Sequence, residues 1–231
     1  MAAPAFAGLN IAAVTPHKRE GHEPDIAAAL ELVDFYCASG ARGIALLGST
    51  GEFLHLKMDD RIRLVNLAVK RSRVPVIAGI SHSTLDGAVE LAREAATAGA
   101  AAGLLMPPYF FRYSQRDVME FYLQYAKQME GVLPTLLYNI PFFTTPIEFE
   151  TARELLRTGQ FAGIKDSSGD LPNFRSLAAL KTERPFTLLV GNDVVFTVCR
   201  SEGADGVISG VAAAVPELML GLDGSITPPD R

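Results

Sequence analysis

The sequence predicts an α/β protein folded as a (β/α)8 TIM barrel, on three observations. Eight short apolar runs recur along the chain, and segments of helical period separate them. The first run is followed by "TPHKREG", not by the Gly-rich loop of a dinucleotide-binding open sheet. Near-continuous apolar strands are buried on both faces, as in a parallel sheet covered by helices, and eight of them close on themselves. At 231 residues the chain reads as one domain, 1–231, because such barrels run to about 250 residues as a single unit.

The elements follow in order. "NIAAVTP" (10–16) leads to the helical pattern "PDIAAALELVDFYCASG" (24–40), which opens on Pro and Asp and closes on Gly. "GIALLG" (43–48) is followed by "KMDDRIRLVNLAVKRS" (57–72), and "VPVIAGI" (74–80) by "TLDGAVELAREAATAG" (84–99), capped by Thr and Gly. "GLLMPP" (103–108) precedes "SQRDVMEFYLQYAKQM" (114–129), with Ser at its start. "PTLLYNI" (134–140), "FAGIKD" (161–166) and "FTLLVGN" (186–192) precede the helices at 147–159, 170–183 and 193–203. "DGVISG" (205–210) is the eighth strand. The helix begun in "VPELMLGLDGSITPPDR" is expected to stop at Gly221, Gly224 and the Pro228 to Pro229 pair.

Composition narrows the function. With 48% hydrophobic and 20% charged residues the chain is ordinary globular material, and a net charge of −5 provides no basic field for nucleic acid. Cys37 and Cys199 lie in apolar helical patterns and read as small buried hydrophobes, which suits a reducing cytoplasm. The start "MAAPAFAGLN" lacks a signal-peptide pattern and no apolar run reaches membrane-spanning length, so neither export nor a membrane is expected. His17, His22, His55 and His82 show no ligand spacing and the carboxylates do not pair, so no metal is expected. There is no G-x-S-x-G elbow.

Barrel chemistry sits at the carboxyl ends of strands. There the chain offers Thr15, "GSTGE" (48–52), Ser81, His82, "PPYF" (107–110), Tyr138, Asn139, Lys165, Asp166, "GND" (191–193) and Ser209. Lys165 stands out. Burial of a lysine amine favours its neutral form, which attacks carbonyl carbon to give a Schiff base; a lysine turned outward to solvent or paired with Asp166 is the alternative. Tyr138 ends the neighbouring strand, so its phenol can serve as the proton shuttle that Schiff-base formation needs. In "GSTGE", Gly48 and Gly51 flank Ser49 and Thr50, a pattern that lets backbone amides and hydroxyls form an anion site. No Arg or Lys follows it, which favours carboxylate over phosphate and disfavours an aldolase of phosphorylated sugars.

"GSTGE", "YNIP" (138–141), "GIKDSSGD" (163–170), "GND" and "GADGVISG" (203–210), in this order, resemble the dihydrodipicolinate synthase and N-acetylneuraminate lyase family across nearly the whole chain. The resemblance implies a barrel enzyme that holds pyruvate, or a 2-keto acid yielding it, as a Schiff base, with no cofactor besides that covalent link. By it, Lys165 is the Schiff-base lysine and Tyr138 the acid/base tyrosine. Ser49 and Thr50 match the hydroxyls of the relay and of carboxylate binding, and Gly191 and Ile208 line the pyruvate end through their backbones. It also implies a homo-oligomer, a dimer or homotetramer.

Departures from the family narrow the partner aldehyde. Phe143 stands where the synthases carry an arginine, Val194 where the sialic-acid lyases carry an acid, and Phe110, after Tyr109, where in both a second aromatic hydroxyl comes from a neighbouring subunit. Ser167, Asp193 and Ser209 beside Phe142 and Phe143 then form a mixed wall. It would suit a 2-keto-3-deoxy sugar acid or an aromatic aldehyde adduct, with synthase-type condensation or a silent pyruvate-binding relative as alternatives. The family continues through further helices past the eighth strand, so the shorter chain is expected to expose apolar surface, with lowered stability or altered assembly.

Overall fold

The computed structural model describes residues 6–20 and 23–225. His22 and the stop expected at Pro228 to Pro229 lie outside them. Eight parallel strands form a closed barrel in chain order: β1 (Gly8–Ala12), β2 (Gly43–Leu46), β3 (Val76–Gly79), β4 (Ala102–Leu105), β5 (Thr135–Asn139), β6 (Gly163–Asp166), β7 (Thr187–Val190) and β8 (Gly206–Ser209). Every strand residue is buried, the consequence of a barrel filled inside and clad outside. The cladding helices are α1 (Ile26–Ala38), α2 (Met58–Arg71), α3 (Leu85–Ala98), α4 (Gln115–Met129), α5 (Phe149–Thr158), α6 (Leu171–Leu180), α7 (Phe196–Ser201) and α8 (Pro216–Ser225).

The punctuation read from the sequence is chemically in place. Asp25, Thr84, Ser114 and Asp170 each accept a hydrogen bond from an amide of the first helical turn, and Ser114 forms a reciprocal pair with Asp117. Gly99 and Gly159 close α3 and α5 at φ 89° and 76°, backbone that a side chain would strain.

Two expectations are corrected. The first strand lies earlier than 10–16, because pairing with β8 (Gly8 opposite Gly206) and β2 (Asn10 opposite Gly43) ends at Ala12. The last helix runs through Gly221 and Gly224 to Ser225. Each helical glycine costs about 1 kcal/mol, but burial of Met219 and the Arg200–Asp223 ion pair at 2.8 Å hold the segment.

At the amino end of the barrel, Asp205 accepts hydrogen bonds from the Leu188 amide and from Lys181 Nζ, both at 2.8 Å. Asp205→Ala is expected to destabilise the protein by about 1–3 kcal/mol, because a buried amide loses its acceptor while half-buried Lys181 can turn to water. Thermal unfolding measures this, and an unchanged midpoint would contradict it.

Candidate active site

Side chains alternate across a strand, so neighbours on β5 and β6 divide between the inside and outside of the barrel. Tyr138 and Lys165 are register partners pointing inward. Asn139 and Asp166, the next pair, point outward, where Asn139 Nδ2 donates to Asp166 Oδ1 at 2.8 Å. Asp166 also accepts from the Ser168 amide at 3.1 Å, from the Ser168 hydroxyl at 2.9 Å and from Asn173 at 3.4 Å. Burial raises its pKa, with these hydrogen bonds pulling the other way. Its partners are therefore neutral, and it does not pair with Lys165.

Lys165 is 4% exposed, so it does not reach bulk water either. Its Nζ lies 4.2 Å from the centroid of the Tyr138 ring, and the Tyr138 hydroxyl is 3.1 Å from Ser49 Oγ across the barrel mouth. Tyr138 is 1% exposed. Burial alone would raise its pKa, but the Lys165 charge, the Ser49 hydrogen bond and the nearby polar Lys165 and Ser167 side chains outweigh it and hold the phenol below the ordinary tyrosine value. An amine, a phenol and a hydroxyl thus form one line, able to attack a carbonyl and to move protons.

Gly191, at the end of β7, makes room for this line. A Cβ there would fall 2.5 Å from Lys165 Cε and well inside contact distance of Ser167 Oγ. Sequence reading singled out the glycine for its backbone; this steric reason depends on a strand neighbour that no local pattern reveals. Gly191→Ala is expected to displace the amine and lower catalytic efficiency by about 10²-fold, the usual effect of a misplacement near 1 Å. Steady-state kinetics checks this, and full activity in the variant would refute it.

The loop after β2 is partly as expected. The Gly51 and Glu52 amides donate to Gly48 and Ser49 carbonyls at 3.1 and 3.0 Å, so they are spent in the turn. The Ser49 and Thr50 amides have no hydrogen-bond acceptor among the described residues. Left-handed backbone falls at Leu47 and Glu52, not at the glycines. Gly51 is needed instead for close packing, since a Cβ would meet Leu47 N and Ala13 O at 3.1 Å, whereas Gly48 faces open space.

The remaining candidates divide. Ser167 Oγ and Asp193 Oδ1 are buried without partners among the described residues, while Asp193 Oδ2 accepts from the Val211 amide at 3.2 Å. Ser209 Oγ accepts from the Ala212 amide at 3.0 Å, and Ile208 sits buried in β8 opposite Asn10. Tyr109 packs edge-on against Phe53 at 5.8 Å. Phe110 is not packed into this site within the chain: it is 88% exposed, with φ 88°, and stacks edge-on with Phe111. Arg61 was missed because it reads as an ordinary helix charge. It is buried, donates to the carbonyls of Leu56 and Ser81, and lies 4.9 Å from the Phe53 ring.

Comparison with known proteins identifies the family. The model of the dihydrodipicolinate synthetase family matches residues 5–225. The chain is 32% identical over 228 residues to a 4-hydroxy-tetrahydrodipicolinate synthase of Methanothrix thermoacetophila, covering 96% of this chain and 76% of that one. It is 35% identical over 218 residues to the synthase of that name from Phenylobacterium zucineum, covering 93% and 72%. Among solved structures, YagE, a prophage protein of the dihydrodipicolinic acid synthase family from E. coli K12 in complex with pyruvate, superposes with a TM-score of 0.88 at 27% identity. It covers 94% of this chain and 74% of its own. With a match along almost its whole length, the chain belongs to the dihydrodipicolinate synthetase family.

Proposed function

We propose that the protein is a Schiff-base lyase that makes or breaks a carbon–carbon bond between pyruvate and an aldehyde. The observation that carries this reading is the buried Lys165 amine held over the Tyr138 ring, with the phenol bonded to Ser49. Once it has given up its proton, the amine adds to the keto carbon, and the carbonyl oxygen becomes a hydroxyl with a proton delivered through Tyr138. That oxygen then leaves as water, forming the carbon–nitrogen double bond. Loss of a proton from the former methyl gives an enamine, whose carbon bonds to the aldehyde carbon; cleavage is the same step reversed. The free amides of Ser49 and Thr50 support a carboxylate site there. The Ser167 hydroxyl and Asp193 Oδ1 supply unused polar contacts to substrate oxygens.

Lys165 itself is the only reactive carbonyl-binding group this chemistry needs, so the reading calls for no cofactor. A pyruvate-binding module without turnover would need neither a nucleophile nor a shuttle, and the intact line from Lys165 to Ser49 weighs against it. Condensation of the kind named in the relatives is the second reading, supported by their 32% and 35% identity. The aromatic Phe143, in the place of a carboxylate-binding arginine, favours a different aldehyde. Unpaired Cys37 and Cys199 fit a reducing cytoplasm, and the exposed Phe110–Phe111 pair fits a homo-oligomer.

The test is borohydride reduction with pyruvate present. A reduced pyruvate adduct on the Lys165 peptide is the expected result. An unmodified peptide at saturating pyruvate would remove the assignment.

A further inference from the structure

Resting on the Schiff-base reading, we infer that the cavity running outward from Ser49 to Phe143 receives the substituent of the aldehyde, and that this substituent is an aryl ring or short branched alkyl chain. The cavity holds about 160 Å³, and apart from Ser49 its walls are Phe53, Leu54, Met106, Tyr109 and Phe143, with Glu52 and His55 also on its lining. That volume admits a ring or a short branched chain, and the cleft opens to solvent past the exposed Leu54 and Phe143.

The inner end of this cavity is the reacting centre. Ser49 Oγ, on its lining, is 3.1 Å from the Tyr138 hydroxyl, and that ring carries the Lys165 amine 4.2 Å above it. A group entering from this end lies next to the new carbon–carbon bond. Apart from the Ser49 and Tyr109 hydroxyls, the inner walls offer a substrate hydroxyl no hydrogen-bonding partner. Phe53 and Met106 are buried, Tyr109 lies edge-on to Phe53, and the Arg61 guanidinium behind Phe53 directs hydrogen bonds to the Leu56 and Ser81 carbonyls. Glu52 and His55 are exposed, at the outer edge. A polyhydroxylated substituent would give up water here for few replacement hydrogen bonds, whereas an apolar one loses nothing by leaving water. Ser167 and Asp193, with their unused polar atoms, do not line this cavity.

In the step itself, the enamine carbon attacks the aldehyde carbon and the carbonyl π pair moves to oxygen. That oxygen takes a proton by way of Tyr138. Water then adds to the iminium carbon, and the carbon–nitrogen bond breaks to release a 4-hydroxy-2-keto acid and free Lys165.

The experiment compares kcat/KM for pyruvate condensing with benzaldehyde, isobutyraldehyde and glyceraldehyde, with products identified by mass. A preference of about 10- to 100-fold for the two apolar aldehydes is expected, the range that a hydrophobic pocket can deliver. Phe143→Arg should abolish that preference while the borohydride-trapped pyruvate adduct still forms; Phe143 is 64% exposed, so the substitution leaves folding intact. An adduct of normal yield with glyceraldehyde equal or preferred would overturn the pocket assignment and leave the Schiff base standing. Binding without chemistry supplies an independent arm, using benzyl alcohol with the Lys165→Met protein. Saturation-transfer NMR should show contact that Leu54→Asp removes, and no contact would overturn the inference whatever the outcome of trapping.

Discussion

Lys165→Met is expected to abolish the pyruvate adduct and to lower kcat/KM by about 10⁴- to 10⁶-fold, the scale of deleting a covalent nucleophile. That corresponds to about 5–8 kcal/mol of transition-state stabilisation. Methionine keeps the side chain as far as the Cε position, in the space that Gly191 leaves open, so packing around β6 and β7 is retained while the amine is lost. The substitution also removes a buried nitrogen that lies over the Tyr138 ring and makes no ion pair with Asp166. Thermal stability should therefore hold or rise while activity disappears. Activity within tenfold of the wild type, or a trapped adduct on another lysine, would show that the nucleophile lies elsewhere.

Much of this molecule is visible in its sequence for a physical reason. Strands of a closed parallel barrel are buried on both faces, so each appears as an unbroken apolar run, and a lysine or tyrosine within such a run conflicts with its surroundings. Lys165 and Tyr138 stood out on that ground, with neither sufficient alone and their roles implied by the family resemblance, and register places them side by side. Contacts between distant segments carry no such signature. The steric demand at Gly191 comes from Lys165 and Ser167 at the end of the neighbouring strand, and the outward clamp of Asn139 on Asp166 joins two strands through polar side chains at their carboxyl ends. "GSTGE" indicated a nest, but not that two of its amides would close the turn and leave those of Ser49 and Thr50. Local propensity also misjudged α8, where Met219 and the Arg200–Asp223 pair hold a helix through two glycines.

Tyr138→Phe separates proton transfer from nucleophilic attack. The variant keeps the ring beneath Lys165 and loses only the hydroxyl bonded to Ser49, so pyruvate should still bind. Turnover should fall by about 10²- to 10⁴-fold, the contribution of a positioned general acid or base. The pH profile gives the sign. Burial pushes the Tyr138 phenol up, but the Lys165 charge, the Ser49 hydrogen bond and the nearby polar Lys165 and Ser167 side chains bring it below its usual value. A phenol that must be protonated to donate is then lost as pH rises through that depressed pKa, so the wild-type rate should decline on the alkaline side below about pH 10, where a free tyrosine titrates. Tyr138→Phe should lack that decline. In Lys165→Met the opposing charge is gone and burial dominates, so ultraviolet titration should show Tyr138 ionising at higher pH than in the wild type, with Tyr138→Phe identifying its signal. A phenol that titrates identically with and without the amine would mean that the two groups are not coupled, and Tyr138 could not then be the shuttle that serves Lys165.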